Sequence, residues 1–104
     1  MSGEAPRQGM LDTNVLILRR WVNPAELPDE MAISAITLAE LSAGPHEVRK
    51  PRGRIADLMI AATAIAEGLP LYTTNPADYA GLDTLIQVFP VTRPPVPGDR
   101  PPGR

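Results

Sequence analysis

The sequence contains no cysteine and a single histidine, His46, and these shortages exclude several kinds of site. Without cysteine there can be no disulfide framework and no thiolate metal or redox site. With one histidine, nucleophile schemes of the Ser-His-Asp type have little support, and a zinc site would lack its usual ligands. No glycine-rich phosphate loop is present either. The candidates that remain for chemistry are the carboxylates.

Other shortages narrow the class of protein. Aromatic residues make up 4% of the chain, too few for a base-stacking platform. No apolar run reaches the length of a membrane span, and the first residues lack the apolar core of a secretory signal, so a cytoplasmic protein is expected. The net charge of −2 argues against nucleic-acid binding through bulk electrostatics alone, although basic residues cluster within 49–54.

The order of predicted elements indicates the fold class. The 104 residues suffice for one small domain. Strands that alternate with helices predict an α/β fold with a mostly parallel sheet. We expect a flexible leader at 1–8, a domain at 9–91 and a disordered tail at 92–104, which holds five of the thirteen prolines. The predicted strands are 9–12, 31–35, 69–73 and 85–91, and the predicted helices are 13–20, 37–43 and 55–67.

Four carboxylates stand beside apolar segments, where a solvated acid is unexpected. Buried charges are normally paired or bind metals, and a hard divalent cation requires oxygen ligands. In open parallel sheets, ligands bind at the carboxyl ends of the strands, so we expect these side chains to converge at one edge. The four residues are Asp12, Glu40, Asp57 and Asp78.

Three of the four also have a structural explanation. Asp12 can cap the helix that follows it. Glu40 fits a capping box in which Thr37 is the N-cap residue. Asp78 can be the third residue of a short turn that Asn75 caps, with proline at its first position. These readings do not exclude a function, because a residue near a helix N-terminus can both cap and meet a ligand.

Asp57 is harder to explain in structural terms alone. Its helix is apolar nearly all round and is therefore expected to be buried. Ala61 and Ala64 share its face and would allow close packing against the sheet. The alternatives are a favourable interaction with the helix dipole and a pair with Arg54, three residues earlier.

The chain resembles the PIN-domain nucleases, in particular the VapC-type toxins of bacterial toxin–antitoxin pairs. The matching stretches are "MLDTNVLI" at 10–17, "ISAITLAEL" at 33–41, "RIADLMIAATAIAEGLPLYTTNPADYAGL" at 54–82 and "IQVFPV" at 86–91. They occur in the order of the family. The resemblance implies a three-layer α/β/α sandwich with a mostly parallel central sheet.

The resemblance also implies a site and an activity. The four carboxylates would form an acidic quartet that binds magnesium or manganese and cleaves RNA. Asp12 and Asp57 are expected to be direct ligands of one or two ions, whereas Glu40 and Asp78 would act directly or through water. Three polar residues match positions beside the quartet: Thr13, Asn14 and Asn75.

The implied partners are an RNA substrate, a cognate antitoxin and a second copy of the chain, with no membrane. The alternative is a non-catalytic PIN-like module that binds RNA or a partner, and a nuclease acting on structured DNA is a minor option. One departure stands out: only sixteen residues, 41–56, separate Glu40 from Asp57, where the family carries additional helices. Either the protein itself is shortened here, or the sequence as given omits a segment with helices between about 45 and 53. The second is favoured, because 10–49 and 50–91 each look intact.

Overall fold

A computed structural model describes residues 7–42 and 54–95 of the chain, and these form a four-stranded parallel sheet. The strands are β1 (Gln8–Leu11), β2 (Glu30–Ile33), β3 (Leu71–Thr73) and β4 (Val88–Pro90). Their order across the sheet is β2-β1-β3-β4, and every neighbouring pair is parallel. The predicted α/β fold with a parallel sheet is thus confirmed.

Three α-helices surround the sheet: α1 (Thr13–Leu18), α2 (Ala35–Ser42) and α3 (Arg54–Glu67). Short 3-10 helices occupy Arg19–Trp21, Pro24–Glu26 and Pro76–Tyr79. The predicted elements are all present, with boundaries that shift by up to three residues. The largest shifts are at the starts of β3 and β4, which begin two and three residues later than the apolar pattern predicts.

Two apolar clusters lie on opposite faces of the sheet, because successive strand residues point to opposite sides. Met10 and Leu71 pack with α3, whereas the next residues along the same strands, Leu11 and Tyr72, pack with α1. This arrangement gives a helical layer on each face. It is compatible with the predicted three-layer sandwich.

The third helix is buried on one face only, which corrects the expectation that it is buried all round. Ala61 and Ala64 are fully buried against the sheet, as predicted. The opposite face is apolar but exposed: Ile55 is 72% and Met59 45% accessible, and Leu58 shares this face. The helix forms an outer layer of the fold, so within the described residues only its sheet-facing side is covered.

Gly68 ends α3 as the sequence predicts. Its φ of 69° lies in the left-handed region, which glycine adopts without steric cost. The N–H groups of Gly68 and Leu69 donate to the carbonyls of Ile65 and Ala64 at 3.1 and 2.9 Å. These two bonds form a Schellman motif, which satisfies carbonyl groups at the helix end.

The sheet contains one close approach that the pattern of apolar residues does not reveal. The ring of Tyr72 on β3 lies directly over Gly9 on β1. A Cβ atom at Gly9 would come within 2.7 Å of Cδ1 of Tyr72, and closer still to Cε1. Since Tyr72 is buried and its ring contacts Phe89 at a centroid distance of 5.0 Å, the ring has little room to move away.

Several predictions concern residues outside the described ranges or at their ends. The segment 43–53, with His46, the proposed stop at Gly44 and the question of missing helices, lies outside the described residues. So do 1–6 of the leader and 96–104 of the tail. Packing continues past β4, since the N–H of Thr92 donates to Oε1 of Glu26 at 2.7 Å and Pro94 is buried.

Among the helices in 7–42 and 54–95, none is long and apolar enough to cross a membrane.

Candidate functional site

Asp12 lies at the carboxyl edge of the sheet, directly after β1, and only 6% of it is exposed. Its backbone N–H donates to the carbonyl of Tyr72 at 3.1 Å, which continues the pairing of β1 with β3. Its Oδ1 accepts from the N–H of Val15 at 3.0 Å, and its Oδ2 accepts from the hydroxyl of Thr73 at 2.5 Å. The predicted N-cap role of Asp12 is therefore confirmed, and a second contact fixes its other oxygen.

Thr73 connects Asp12 to the turn that follows β3. While its hydroxyl donates to Asp12, the same oxygen accepts from the N–H of Asn75 at 3.0 Å. Asn75 occupies the N-cap position of Pro76–Tyr79, as predicted, but its side chain makes no capping hydrogen bond there. The turn is instead closed through the backbone, with the N–H of Asp78 donating to the Asn75 carbonyl at 3.0 Å.

Glu40 is joined to the residue next to Asp12. The hydroxyl of Thr13 donates to Oε1 of Glu40 at 2.6 Å, and the same hydroxyl lies 3.0 Å from that of Thr37. Glu40 thus reaches the carboxyl edge of β1 from α2. Both acids therefore adjoin Thr13: Asp12 precedes it in the sequence, and Glu40 accepts a hydrogen bond from its side chain.

The capping-box reading of Glu40 is wrong. The helix begins at Ala35, two residues earlier than predicted, and the side chain of Ser34 is the cap. Its Oγ accepts from the N–H groups of Ile36 and Thr37 at 3.0 and 3.3 Å. Thr37 is consequently inside the helix with its side chain fully buried, and Glu40 lies beyond the first turn, where it cannot take the capping-box position.

Asp57 and Asp78 belong to elements that pack against each other. Asp57 lies in the first turn of α3 and is half-buried on the side of the helix that faces the sheet. Asp78 is half-buried in the 3-10 turn that contacts α3. The next residue, Tyr79, is fully buried in the same cluster as Ala61 of α3. The alternative pairing of Asp57 with Arg54 involves a side chain outside the described part of the structure.

The oxygen atoms of these side chains are of the type that a hard cation prefers, but the described residues contain no three-ligand group. In the two described ranges, no three Asp, Glu, His or Cys side chains are grouped closely enough to hold a metal ion. Magnesium does not require such a cage, because it usually keeps several waters and is bound through one or two carboxylates. The two carboxylates that such a site could use are Asp12, at the sheet edge, and Glu40, which is hydrogen-bonded to the adjacent Thr13.

No protein-family model, curated protein or solved structure matches this chain. The features that indicate a function are therefore the residues at the sheet edge and the resemblance of the four stretches, three of which contain these residues.

Two threonines that the sequence does not predict as site residues, Thr37 and Thr73, contact the candidate site. Thr73 could have been found by the same rule that selects Asp12, because it too is the final residue of a strand predicted to end at the shared edge. Thr37 was assigned to a helix cap. Only the true start of α2 at Ala35 shows that its side chain is directed at Thr13.

Proposed function

We propose that this protein is a metal-dependent endoribonuclease of the PIN-domain type, similar to the VapC toxins, which hydrolyses RNA phosphodiester bonds. The observation that carries the proposal is the position of Asp12: a buried carboxylate at the carboxyl edge of a parallel sheet, linked through the adjacent Thr13 to Glu40. This edge is where open α/β sheets bind their ligands. The residues assigned to the reaction are Asp12, Glu40, Asp57 and Asp78.

The chain's own contribution is to hold oxygen ligands in place before the substrate arrives. Thr73 and the N–H of Val15 orient the two oxygens of Asp12, and Thr13 orients Glu40. Ligands whose orientation is fixed by further hydrogen bonds lose less freedom on binding, and such outer contacts typically raise metal affinity or activity by about 10–100-fold. The hydrogen-bonded edge of the sheet is therefore suited to a carboxylate metal site.

Magnesium, or manganese in its place, is the proposed cofactor. Asp12 and Asp57 would bind it directly, and Glu40 and Asp78 directly or through water. When bound, such an ion supplies a Lewis acid that polarises the phosphoryl oxygen and lowers the pKa of a bound water. Of the polar residues beside the quartet, Asn14 and Asn75 would contact the substrate or the ordered water. Thr13 is buried and would act through its hydrogen bond to Glu40.

A toxin of this type would act on RNA in the cytoplasm, be restrained by a cognate antitoxin and form a homodimer. The exposed apolar face of α3 supports the proposal of a partner that covers it. Ile55, Leu58 and Met59 project from consecutive turns of its exposed side, and contiguous exposed apolar surface on a soluble fold marks interaction sites. We assign this face to the second copy of the chain.

A non-catalytic module that binds RNA or a protein partner is the second candidate. The observation in its favour is the lack of a ready three-carboxylate group among the described residues. Calorimetric titration with manganese separates the two. Saturable binding that is lost in Asp12→Asn supports the nuclease, whereas no binding to the wild-type protein supports the module.

Cleavage of RNA tests the proposal directly. The wild-type protein is expected to cut RNA in magnesium, and the substitutions Asp12→Asn and Asp57→Asn are expected to abolish cutting. Asparagine is preferred to alanine at position 12 because its amide oxygen can still cap α1. If both variants cleave at the wild-type rate, the assignment of the quartet fails.

A further inference from the structure

The side chain of Thr37 makes a hydrogen bond outside its own helix, which is unusual for a threonine in a helix. Hydroxyl groups inside helices commonly donate to the carbonyl four residues earlier. Ser42 in α2 and Thr63 in α3 do so, at 2.8 Å to Leu38 and Met59. The hydroxyl of Thr37 instead lies 3.0 Å from that of Thr13 on α1.

The direction of this hydrogen bond follows from the number of protons. A threonine hydroxyl has one hydrogen to donate and two lone pairs that accept. Thr13 uses its hydrogen for Oε1 of Glu40, at 2.6 Å. In the contact with Thr37, Thr13 can therefore only accept, and Thr37 must be the donor. The result is a series of two hydrogen bonds with one direction: Thr37 donates to Thr13, and Thr13 donates to Glu40.

Both hydroxyls in this series of hydrogen bonds are fully buried, whereas the carboxylate at its end is half-buried. Thr37 and Thr13 are 0% and 2% exposed, so packing fixes their side chains. Glu40 is only half-buried and has three rotatable side-chain bonds. These hydrogen bonds therefore connect the Glu40 side chain to ordered groups of the core and restrict its rotamers.

The same construction occurs at Asp12. The fully buried hydroxyl of Thr73 accepts from a backbone N–H and donates to Oδ2 of Asp12. In both places a buried threonine hydroxyl accepts one hydrogen bond and donates its single hydrogen to a carboxylate. Hydrogen bonds arranged in such chains polarise and strengthen one another.

We infer that Thr37 is a positioning residue, which holds the carboxylate of Glu40 at the carboxyl edge of the sheet through the hydroxyl of Thr13. Thr37 and Glu40 lie three residues apart on one face of α2, so both contacts to the Thr13 hydroxyl come from the same helix. The inference rests on the proposed function in so far as Glu40 takes part in RNA cleavage.

The test compares Thr37→Val, which removes the donor at nearly constant volume, with Thr37→Ser, which keeps it. Thr63→Val is the matched control, because it removes a helical hydroxyl that donates only to its own helix backbone. Two experiments are made: kinetics of RNA cleavage, which give kcat and KM, and NMR of the Glu40 side-chain carboxyl carbon. Circular dichroism checks folding, and Thr37→Ala takes the place of the valine variant if that does not fold.

We expect Thr37→Val to lower kcat roughly 10–100-fold with little change in KM, the range typical of contacts that orient a ligand. Thr37→Ser and Thr63→Val should stay close to wild type. The Glu40 resonance should move in the valine variant alone. An unmoved resonance in Thr37→Val overturns the inference, as does a valine variant that cleaves normally.

The two measurements keep this inference separate from the proposed function. If the wild-type protein does not cleave RNA, the proposed function fails. The carboxyl resonance of Glu40 still decides whether Thr37 positions it, since that readout needs no substrate. If the wild type cleaves and Thr37→Val does so equally well, the function stands and only the role of Thr37 is lost.

Discussion

The hydroxyl of Thr73 donates a 2.5 Å hydrogen bond to Oδ2 of Asp12, and so joins the ends of two neighbouring strands across 61 positions of sequence. The other oxygen of Asp12 caps α1. Asp12 is therefore part of the fold as well as of the proposed site. Any substitution there changes stability, and this governs how activity data on Asp12 have to be interpreted.

The first prediction concerns the stability of two Asp12 variants. Asp12→Ala removes a helix cap, worth about 0.5–2 kcal/mol, and leaves the buried Thr73 hydroxyl without its acceptor, which costs about 1–3 kcal/mol. We expect a loss of about 2–4 kcal/mol in the free energy of unfolding, measured by urea denaturation. Asp12→Asn should lose about 1 kcal/mol, less than the alanine variant. Its amide oxygen can still cap α1, and its NH2 group can donate to the second lone pair of the Thr73 hydroxyl, which reverses that hydrogen bond.

The exposed acid Asp83 provides the control for this measurement. It lies in the turn before β4, and Asp83→Ala should change the unfolding free energy by less than about 0.5 kcal/mol. If Asp12→Ala proves as stable as Asp83→Ala, the two hydrogen bonds of Asp12 do not support the fold in the way described.

The second prediction concerns the contact of Gly9 with Tyr72. The substitution Gly9→Ala places a methyl group against a buried ring that Phe89 confines from another side. Overpacking of this kind costs about 1–3 kcal/mol. Thermal and urea unfolding measure the loss. In a Tyr72→Leu background the same substitution should cost clearly less, because the ring atoms nearest to the new methyl are gone; an equal cost in both backgrounds contradicts the steric explanation.

The third prediction concerns the outer face of α3. We expect the wild-type protein to be a dimer in light scattering, and the double substitution Ile55→Glu, Met59→Glu to make it monomeric by placing like charges in the contact. The control is Met31→Glu, a partly exposed apolar residue on the edge strand β2 that faces the opposite side of the sheet. A wild-type protein that is monomeric at micromolar concentrations, or a dimer that survives the double substitution, removes α3 from the interface.

The fold was predictable because the signals for it are local. The stop of α3 at Gly68 needs a left-handed residue, and Pro76 after Asn75 marks the turn beyond β3. The alternation of elements then limits the sheet to a parallel arrangement. The boundaries of the strands were harder to predict, since apolar runs extend beyond the residues that pair in the sheet. The run before β4, for example, begins three residues before the strand.

The site was predictable only in part, because its contacts join residues far apart in the sequence. Sequence alone could not show that Ser34 rather than Thr37 caps α2, because both residues are good caps. The link from Thr73 to Asp12 depends on the register of β1 and β3. The exposure of Ile55 depends on what covers α3, which an apolar helix pattern does not reveal.

The most direct test of the central claim is RNA cleavage by the wild-type protein and two variants of α3. Asp57→Asn removes a proposed ligand, and Glu67→Gln is a matched change about 15 Å further along the same helix, ten residues at 1.5 Å each. We predict that wild type and Glu67→Gln cleave RNA in magnesium, that EDTA stops both, and that Asp57→Asn loses more than the roughly 10–100-fold typical of an outer contact. No cleavage by the wild type, cleavage that persists in EDTA, or equal rates for all three proteins would contradict the account.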